Sequence, residues 1–245
     1  KLGSGEFSTP PVLADLLLLK LRNEDIDDLR KCEIGNCNIK MSSAMIKRMR
    51  TEVDWNVPDH PQKAAQLYKQ MLIDYAGNYL ANGERALMQY DSRKTRVRLG
   101  EDYRKMLDES IFVKEVAPEF VQYLRDFPGS VLLWVENRLN WSTVTFGLDP
   151  ILTFTHTASY SHRSNDISQH VIATKQIYSS RYVDSSLAFT LLVSVPAVSG
   201  VEKYLIFTDV SRAAVLDGIF SDVKRSIVEK EATQKVREVL DRAAV

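Results

Sequence analysis

Two cysteines separated by four residues are the first candidates for chemistry in this sequence. Cys32 and Cys37 enclose a short segment that contains Gly35. A glycine lets so short a loop turn back on itself, so the two sulfurs can reach bonding distance, and this closure would stabilise the fold by about 2 kcal/mol. Zinc binding has less support, because no second Cys or His pair lies near in sequence. Two alternatives remain: a disulfide, which implies an oxidising compartment, and two unrelated thiols in a reducing cytosol.

Three histidines lie on or beside one predicted hairpin, and they are the next candidates. Pairing of two strands across residues 161–169 can place His162 near His170, with His156 further along the sheet. A three-histidine zinc site needs all of them on one side of the sheet, and no carboxylate is placed to complete it. Because His156 shares its face of the predicted strand with apolar residues, we expect it to be a buried, hydrogen-bonded histidine rather than a metal ligand.

A dense polar and aromatic segment follows the hairpin, made up of Lys175, Gln176, Tyr178, Arg181, Tyr182 and Asp184. Such a segment can line the mouth of a cavity and hold the polar end of a ligand. The alternative is a strand end whose Tyr and Arg side chains pack over the edge of the sheet. Catalytic triads, glycine-rich phosphate loops and zinc-protease helices are absent from the sequence, so it predicts neither a catalytic residue nor a cofactor nor a metal.

The overall composition excludes some classes of protein. The 245 residues contain 32 Lys plus Arg and 32 Asp plus Glu, without the basic excess that is typical of proteins that bind nucleic-acid phosphates. We therefore expect no nucleic-acid partner. No apolar run approaches the ~20 residues of a transmembrane helix. Residues 1–7 read like the translation of a cloning site, so we expect them to lie outside the fold and an upstream export signal to have been removed.

The order of predicted elements defines the fold class as α+β. Residues 8–128 read as short amphipathic helices, the strongest at 61–82, where apolar residues recur every three or four positions. From residue 129 the pattern changes to the alternation of strands, clearest at 151–160 and 187–195. Residues 217–243 predict a long amphipathic helix that closes a mostly antiparallel sheet. No flexible linker separates the halves, so we expect one continuous domain over residues 8–245.

Two resemblances extend this interpretation. Residues 31–40, with both cysteines, and residues 174–187 resemble segments of an uncharacterised bacterial protein family whose members are often predicted to be exported. This likeness implies a periplasmic or otherwise exported protein, whereas free cysteines would favour the cytoplasm. The order of strands followed by a long C-terminal helix is similar to the helix-grip arrangement of START-like lipid-binding domains.

The leading hypothesis is a non-enzymatic protein that holds an apolar or amphipathic, lipid-like small molecule between the sheet and the C-terminal helix. The expected ligand-binding residues are Trp134, Phe154, His156, Lys175, Tyr178, Tyr182, Phe189 and Phe207. One alternative is an enzyme in which His156 acts as general base beside Tyr178 or Lys175. Another is a structural or interaction module of the bacterial cell envelope. The sequence predicts no oligomeric state.

Overall fold

The computed structural model describes residues 3–145, 149–164, 167–197 and 200–213, together with Gln234 and Arg237. Helices precede a mostly antiparallel sheet of six strands, so the predicted α+β class is confirmed. The predicted C-terminal helix at 217–243 lies outside the described residues, apart from those two positions. Within the described part of the chain, no helix combines the length and the apolar character needed to cross a membrane.

The helices occupy the first half of the chain, as their periodicity predicts. A 3₁₀ turn at Leu13–Leu16 leads into α1 (Asn23–Lys31), α2 (Ser43–Glu52), α3 (His60–Asn82), α4 (Leu99–Glu109), α5 (Ile111–Val116) and α6 (Pro118–Asp126). Ser42 caps α2, because its side chain accepts a hydrogen bond from the backbone N–H of Met45. Pro61 stands in the first turn of α3. Backbone N–H groups in the first turn have no acceptor within the helix, so the N–H that proline lacks costs no hydrogen bond.

The sheet has the strand order β1-β4-β5-β6-β7-β8. Its strands are β1 (Gly3–Glu6), β4 (Val135–Val144), β5 (Ile151–Ser164), β6 (Ile167–Ser179), β7 (Ser185–Ala197) and β8 (Gly200–Arg212), while β2 (Gln89–Tyr90) and β3 (Val97–Arg98) form a separate small hairpin. A bulge opposite Phe154 and Thr155 shifts the register between β5 and β6.

The two faces of the sheet differ in what covers them. Helices α3, α4 and α6 pack on the helix-covered face, which is built from Phe154, His156, Ala158, Tyr160, Val171, Ala173, Lys175, Tyr178, Leu187, Phe189 and Leu191. The opposite, far face carries Thr155, Thr157, His170, Ile172, Thr190, Leu192, Leu205 and Phe207. Residues 154–160 alternate between these faces as predicted, because successive side chains of a strand point to opposite sides.

The first residues of the chain belong to the sheet. Strand β1 pairs antiparallel with β4, and Phe7 packs edge-on against Phe154 with ring centroids 4.8 Å apart. Gly5 lies directly against the Trp141 indole, since a Cβ built at this position would come within 2.7 Å of the indole nitrogen. The expectation that residues 1–7 lie outside the fold is therefore wrong for residues 3–7. Their origin stays a prediction.

Candidate functional site

His156 lies at the centre of a buried polar group on the helix-covered face. It is held by α3, since the Tyr79 hydroxyl donates to its Nδ1 over 2.7 Å, and by β4, since its Nε2 donates to the Asn137 side-chain oxygen over 2.9 Å. Burial, assisted by the charge of Lys175, lowers the pKa of His156 to about 3. The imidazole is therefore neutral with both nitrogens bonded, as the sequence pattern predicts, and it has no free nitrogen for a substrate.

Lys175 is the neighbour of His156 across the β5–β6 ladder and is also buried. Its ammonium lies 4.6 Å from the ring centroid of Tyr103 and 5.6 Å from that of Tyr79, both within cation–π range. Burial lowers the pKa of Lys175 to about 8, against a smaller raising effect of Glu84. Two aromatic faces thus replace the carboxylate or the water that a lysine ammonium ordinarily contacts.

Tyr178 also lies on the helix-covered face, but its hydroxyl forms hydrogen bonds with residues other than His156. Its hydroxyl donates to the Lys40 carbonyl oxygen over 3.0 Å and accepts from Tyr68, 2.6 Å away. Burial raises the pKa of Tyr178 well above its ordinary value. The three side chains that the enzyme hypothesis needs therefore share a face, but Tyr178 serves a different hydrogen-bond network from His156 and Lys175.

The structure brings together only part of the expected ligand-binding set. Phe154, His156, Lys175, Tyr178 and Phe189 lie on the helix-covered face. Trp134 precedes β4 with a positive φ of 66° and is 79% exposed. Phe207 pairs with Thr190, which places it on the far face, where it is 39% exposed. Tyr182 lies in the loop after β6, with its hydroxyl 3.4 Å from a carboxylate oxygen of Asp149.

The three histidines considered for zinc do not converge. His156 and His162 share one side of β5, whereas His170 pairs with Ser161 and therefore belongs to the far face. The Ser161 hydroxyl lies 2.8 Å from the His170 Nδ1. Over the residues that the structure describes, no group of three or more His, Cys, Asp or Glu side chains is arranged to hold a metal ion.

A concave site with mostly apolar walls lies elsewhere, at the edge of the sheet where β1 and β4 meet the segment before α1. This edge pocket has a volume of 260 Å³. Its apolar wall is formed by Leu18, Leu19, Leu21, Ile39 and Leu152, and its polar part by Arg22, Asp25, Ser180 and Arg181. An apolar cleft with a few grouped polar side chains is the usual form of a small-molecule site.

The charges of the edge pocket form one connected network. The buried Arg181 guanidinium lies 2.9 Å from a carboxylate oxygen of Asp25 and 2.6 Å from one of Asp28. Arg22 joins the same Asp25 at 3.0 Å and reaches Asp149 at 3.1 Å. Burial opposes ionisation of Asp25, but hydrogen bonds from Arg22 and Arg181 outweigh it and lower the pKa of this carboxyl. Asp25 is therefore an ionised group held in place at the pocket wall.

A buried ion pair holds two loops that contribute to the pocket. The Lys40 ammonium contacts the Asp184 carboxylate and the Val183 carbonyl oxygen, and the Lys40 backbone N–H donates to the Ser180 carbonyl oxygen over 2.8 Å. Burial lowers the pKa of Lys40 to about 8, although Asp184 favours the charged form. These contacts join residues 39–41 to residues 180–184, and so hold Ile39 and Arg181, which both line the pocket, near each other.

None of the eight expected ligand-binding residues lines the edge pocket. The sequence offered two signals for it. Arg181 belongs to the polar and aromatic segment after the hairpin, and residues 16–19 are four consecutive leucines. Neither signal indicates that α1 and the end of β6 meet, because the contact between Asp25 and Arg181 joins residues 156 positions apart.

Comparisons with known proteins add no relative. No protein-family model, no curated protein and no solved structure matches this chain. The resemblances to an exported bacterial family and to START-like domains therefore gain no support from these comparisons, and a function has to follow from the geometry of the sites.

Proposed function

We propose that this protein is a non-enzymatic binding protein for a small amphipathic molecule, and that the edge pocket is its binding site. The observation that carries the proposal is the 260 Å³ cavity, whose lining combines aliphatic side chains with the Arg22–Asp25–Arg181 network. An aliphatic wall favours an apolar chain by removing it from water, and fixed polar groups orient a head group.

The volume and the charges narrow the class of ligand. The cavity lies just below the ~300 Å³ lower bound of drug-sized sites, so its size favours a ligand smaller than a drug molecule. The two arginines are neutralised by Asp25, Asp28 and Asp149. Because both arginines of the network are already paired with carboxylates, the network itself favours a neutral hydroxyl or amide head group on a short aliphatic chain.

Isothermal titration with three eight-carbon probes tests the proposal: octanol, octanoate and octylammonium. We expect saturable binding of octanol and weaker binding of octanoate. Leu21→Trp places an indole in the pocket and should abolish binding, while Leu133→Trp, at an exposed position outside the pocket, should leave it unchanged. Equal affinity in the Leu21→Trp variant, or no binding of any probe, would contradict the proposal.

The absence of catalysis in this proposal rests on the bonding of the buried groups. Both ring nitrogens of His156 are engaged, and Lys175 is covered by two tyrosine rings. Neither residue lines the edge pocket. A general base needs a free nitrogen within hydrogen-bond reach of the substrate proton, and His156 offers none in this arrangement.

We also propose that the protein is exported. Cys32 and Cys37 lie at disulfide distance, with Cα atoms 4.4 Å apart, which is compatible with an oxidising compartment such as the periplasm. Labelling of the denatured, unreduced protein with a thiol reagent should find no free cysteine. Two labelled thiols after aerobic purification would favour the cytoplasm instead.

The remaining part of the fold hypothesis concerns the C-terminal segment. We propose that this amphipathic segment closes the sheet by packing on the far face. Three apolar side chains are exposed on that face: Ile172, Leu205 and Phe207. A chain truncated before Ser221 should then bind more of a hydrophobic dye and melt at a lower temperature than the full chain. An unchanged melting temperature would overturn this placement.

A further inference from the structure

The four consecutive leucines at residues 16–19 are divided between the core and the solvent. Leu16 and Leu19 are 0% and 4% exposed, whereas Leu17 and Leu18 are 74% and 69% exposed. A single exposed leucine is ordinary, but these two adjacent ones leave most of their apolar area in water within the described fold.

The corner formed by Leu17 and Leu18 is held rigidly by its neighbours. The Lys69 ammonium donates to the Leu16 carbonyl oxygen over 3.0 Å, and the Trp141 indole N–H donates to the Asp15 carbonyl oxygen over 2.8 Å. The Asp15 carboxylate accepts from the backbone N–H groups of Ser8 and Val12. These hydrogen bonds fix the backbone just before Leu17 and Leu18. The two leucine side chains are therefore exposed on an ordered segment of the chain.

The exposed corner is continuous with the edge pocket. Leu18 and Leu19 line the pocket, and so does Lys20, whose side chain is exposed beside them. The next cation, Arg22, is already neutralised by Asp25 and Asp149. One exposed leucine of the corner, Leu18, thus lines the cavity, Leu17 precedes it, and the nearby Lys20 supplies an ammonium that can meet a phosphate.

We infer that the Leu17–Leu18 corner inserts into a phospholipid bilayer surface, and that the edge pocket takes its amphipathic ligand from the membrane there. This inference rests on the proposed function. A bilayer fits the corner better than a protein partner does. A stable protein interface needs about 800 Å² on each side, far more than two leucines supply, whereas two inserted side chains and one lysine suffice for weak, reversible membrane contact.

Sedimentation of the full chain with vesicles tests the inference. The vesicles are phosphatidylcholine alone and an equal mixture of phosphatidylcholine and phosphatidylglycerol. We expect binding to both and stronger binding to the anionic mixture, because of Lys20. The double variant Leu17→Ser/Leu18→Ser should lower the partition coefficient at least about tenfold, since both side chains lose their transfer from water. The matched control Ile111→Ser/Phe112→Ser removes two other exposed apolar residues, on α5, and should bind as the wild type does.

The outcomes separate this inference from the proposed function. If the wild type binds octanol but no vesicles, or if both double variants bind vesicles as the wild type does, the membrane inference is overturned and the pocket stands. If vesicles bind but no eight-carbon probe does, the proposed function fails and ligand uptake fails with it. If vesicle binding is absent and Leu17→Ser/Leu18→Ser abolishes self-association instead, the corner contacts a second copy of the chain and the membrane inference is overturned.

Discussion

The helix-covered face and the edge pocket both combine apolar and polar side chains, but they satisfy their polar groups in opposite ways. On the helix-covered face, His156 is bonded to Tyr79 and Asn137, and Lys175 lies against aromatic rings, all beneath helices. In the edge pocket, Asp25 and Arg181 pair with each other beside an open cavity.

This difference separates polar groups that specify the fold from polar groups that can meet a ligand. A buried polar side chain costs free energy unless every donor and acceptor is satisfied, so a fully bonded cluster has no capacity left for another molecule. A paired network at a cavity wall keeps its charges fixed and still presents them to the cavity. The aromatic residues of the helix-covered face therefore belong to the core, and the edge pocket is the site that we propose for ligand binding.

The largest expected effect tests the close packing of the helix-covered face. Phe154 is 0% exposed and contacts the rings of Phe7 and Tyr178, so Phe154→Ala should lower the free energy of unfolding by about 3–5 kcal/mol. Its neighbour Thr155 faces the far side, and Thr155→Val should change stability by less than about 0.5 kcal/mol. Urea denaturation measures both. Equal losses would refute the strand register and with it the distinction between the two faces.

Removal of one buried cation from each region should change the free energy of unfolding in different directions. Arg181→Met leaves Asp28 without its arginine and leaves Asp25 with Arg22 alone. We therefore expect the free energy of unfolding to fall by roughly 2–3 kcal/mol. This is less than the ~3–5 kcal/mol that breaking a fully buried ion pair costs. Lys175→Met removes a charge that burial disfavours, and stability at pH 7 should stay equal or rise. Thermal and urea unfolding of the two variants provide the measurement. A large loss in Lys175→Met would show that its cation–π contacts outweigh the cost of burial.

The smallest effect is the pH dependence that His156 imposes. Its pKa is about 3 in the folded protein and about 6.5 in the unfolded chain, so the unfolded state binds a proton first as the pH falls. Stability should therefore decline below pH 6.5, by about 1 kcal/mol between pH 6 and pH 5. His156→Gln should remove this slope, while His170→Gln, on the exposed far face, should keep it. An identical slope in wild type and His156→Gln would exclude the buried neutral imidazole.

The sequence by itself determined the elements with clear periodicity and the faces on which their residues lie. Apolar spacing of three and four predicted α3, and alternation predicted that Phe154 and His156 share a buried side, because these periods follow from local helix and strand geometry. The short spacing of Cys32 and Cys37 likewise left disulfide formation open, and the structure places the pair at that distance.

Only the tertiary structure decided which of these faces meet and where space remains. Phe207 is expected from the sequence to line the same cavity as Phe154, but its pairing with Thr190 places it on the far face. Residues 3–6 carry no strand pattern, yet two glycines admit the Trp141 indole and let β1 join the sheet. The edge pocket depends on Asp25 meeting Arg181 across most of the chain. Local periodicity carries no information on such distant contacts, because the packing of whole elements sets them.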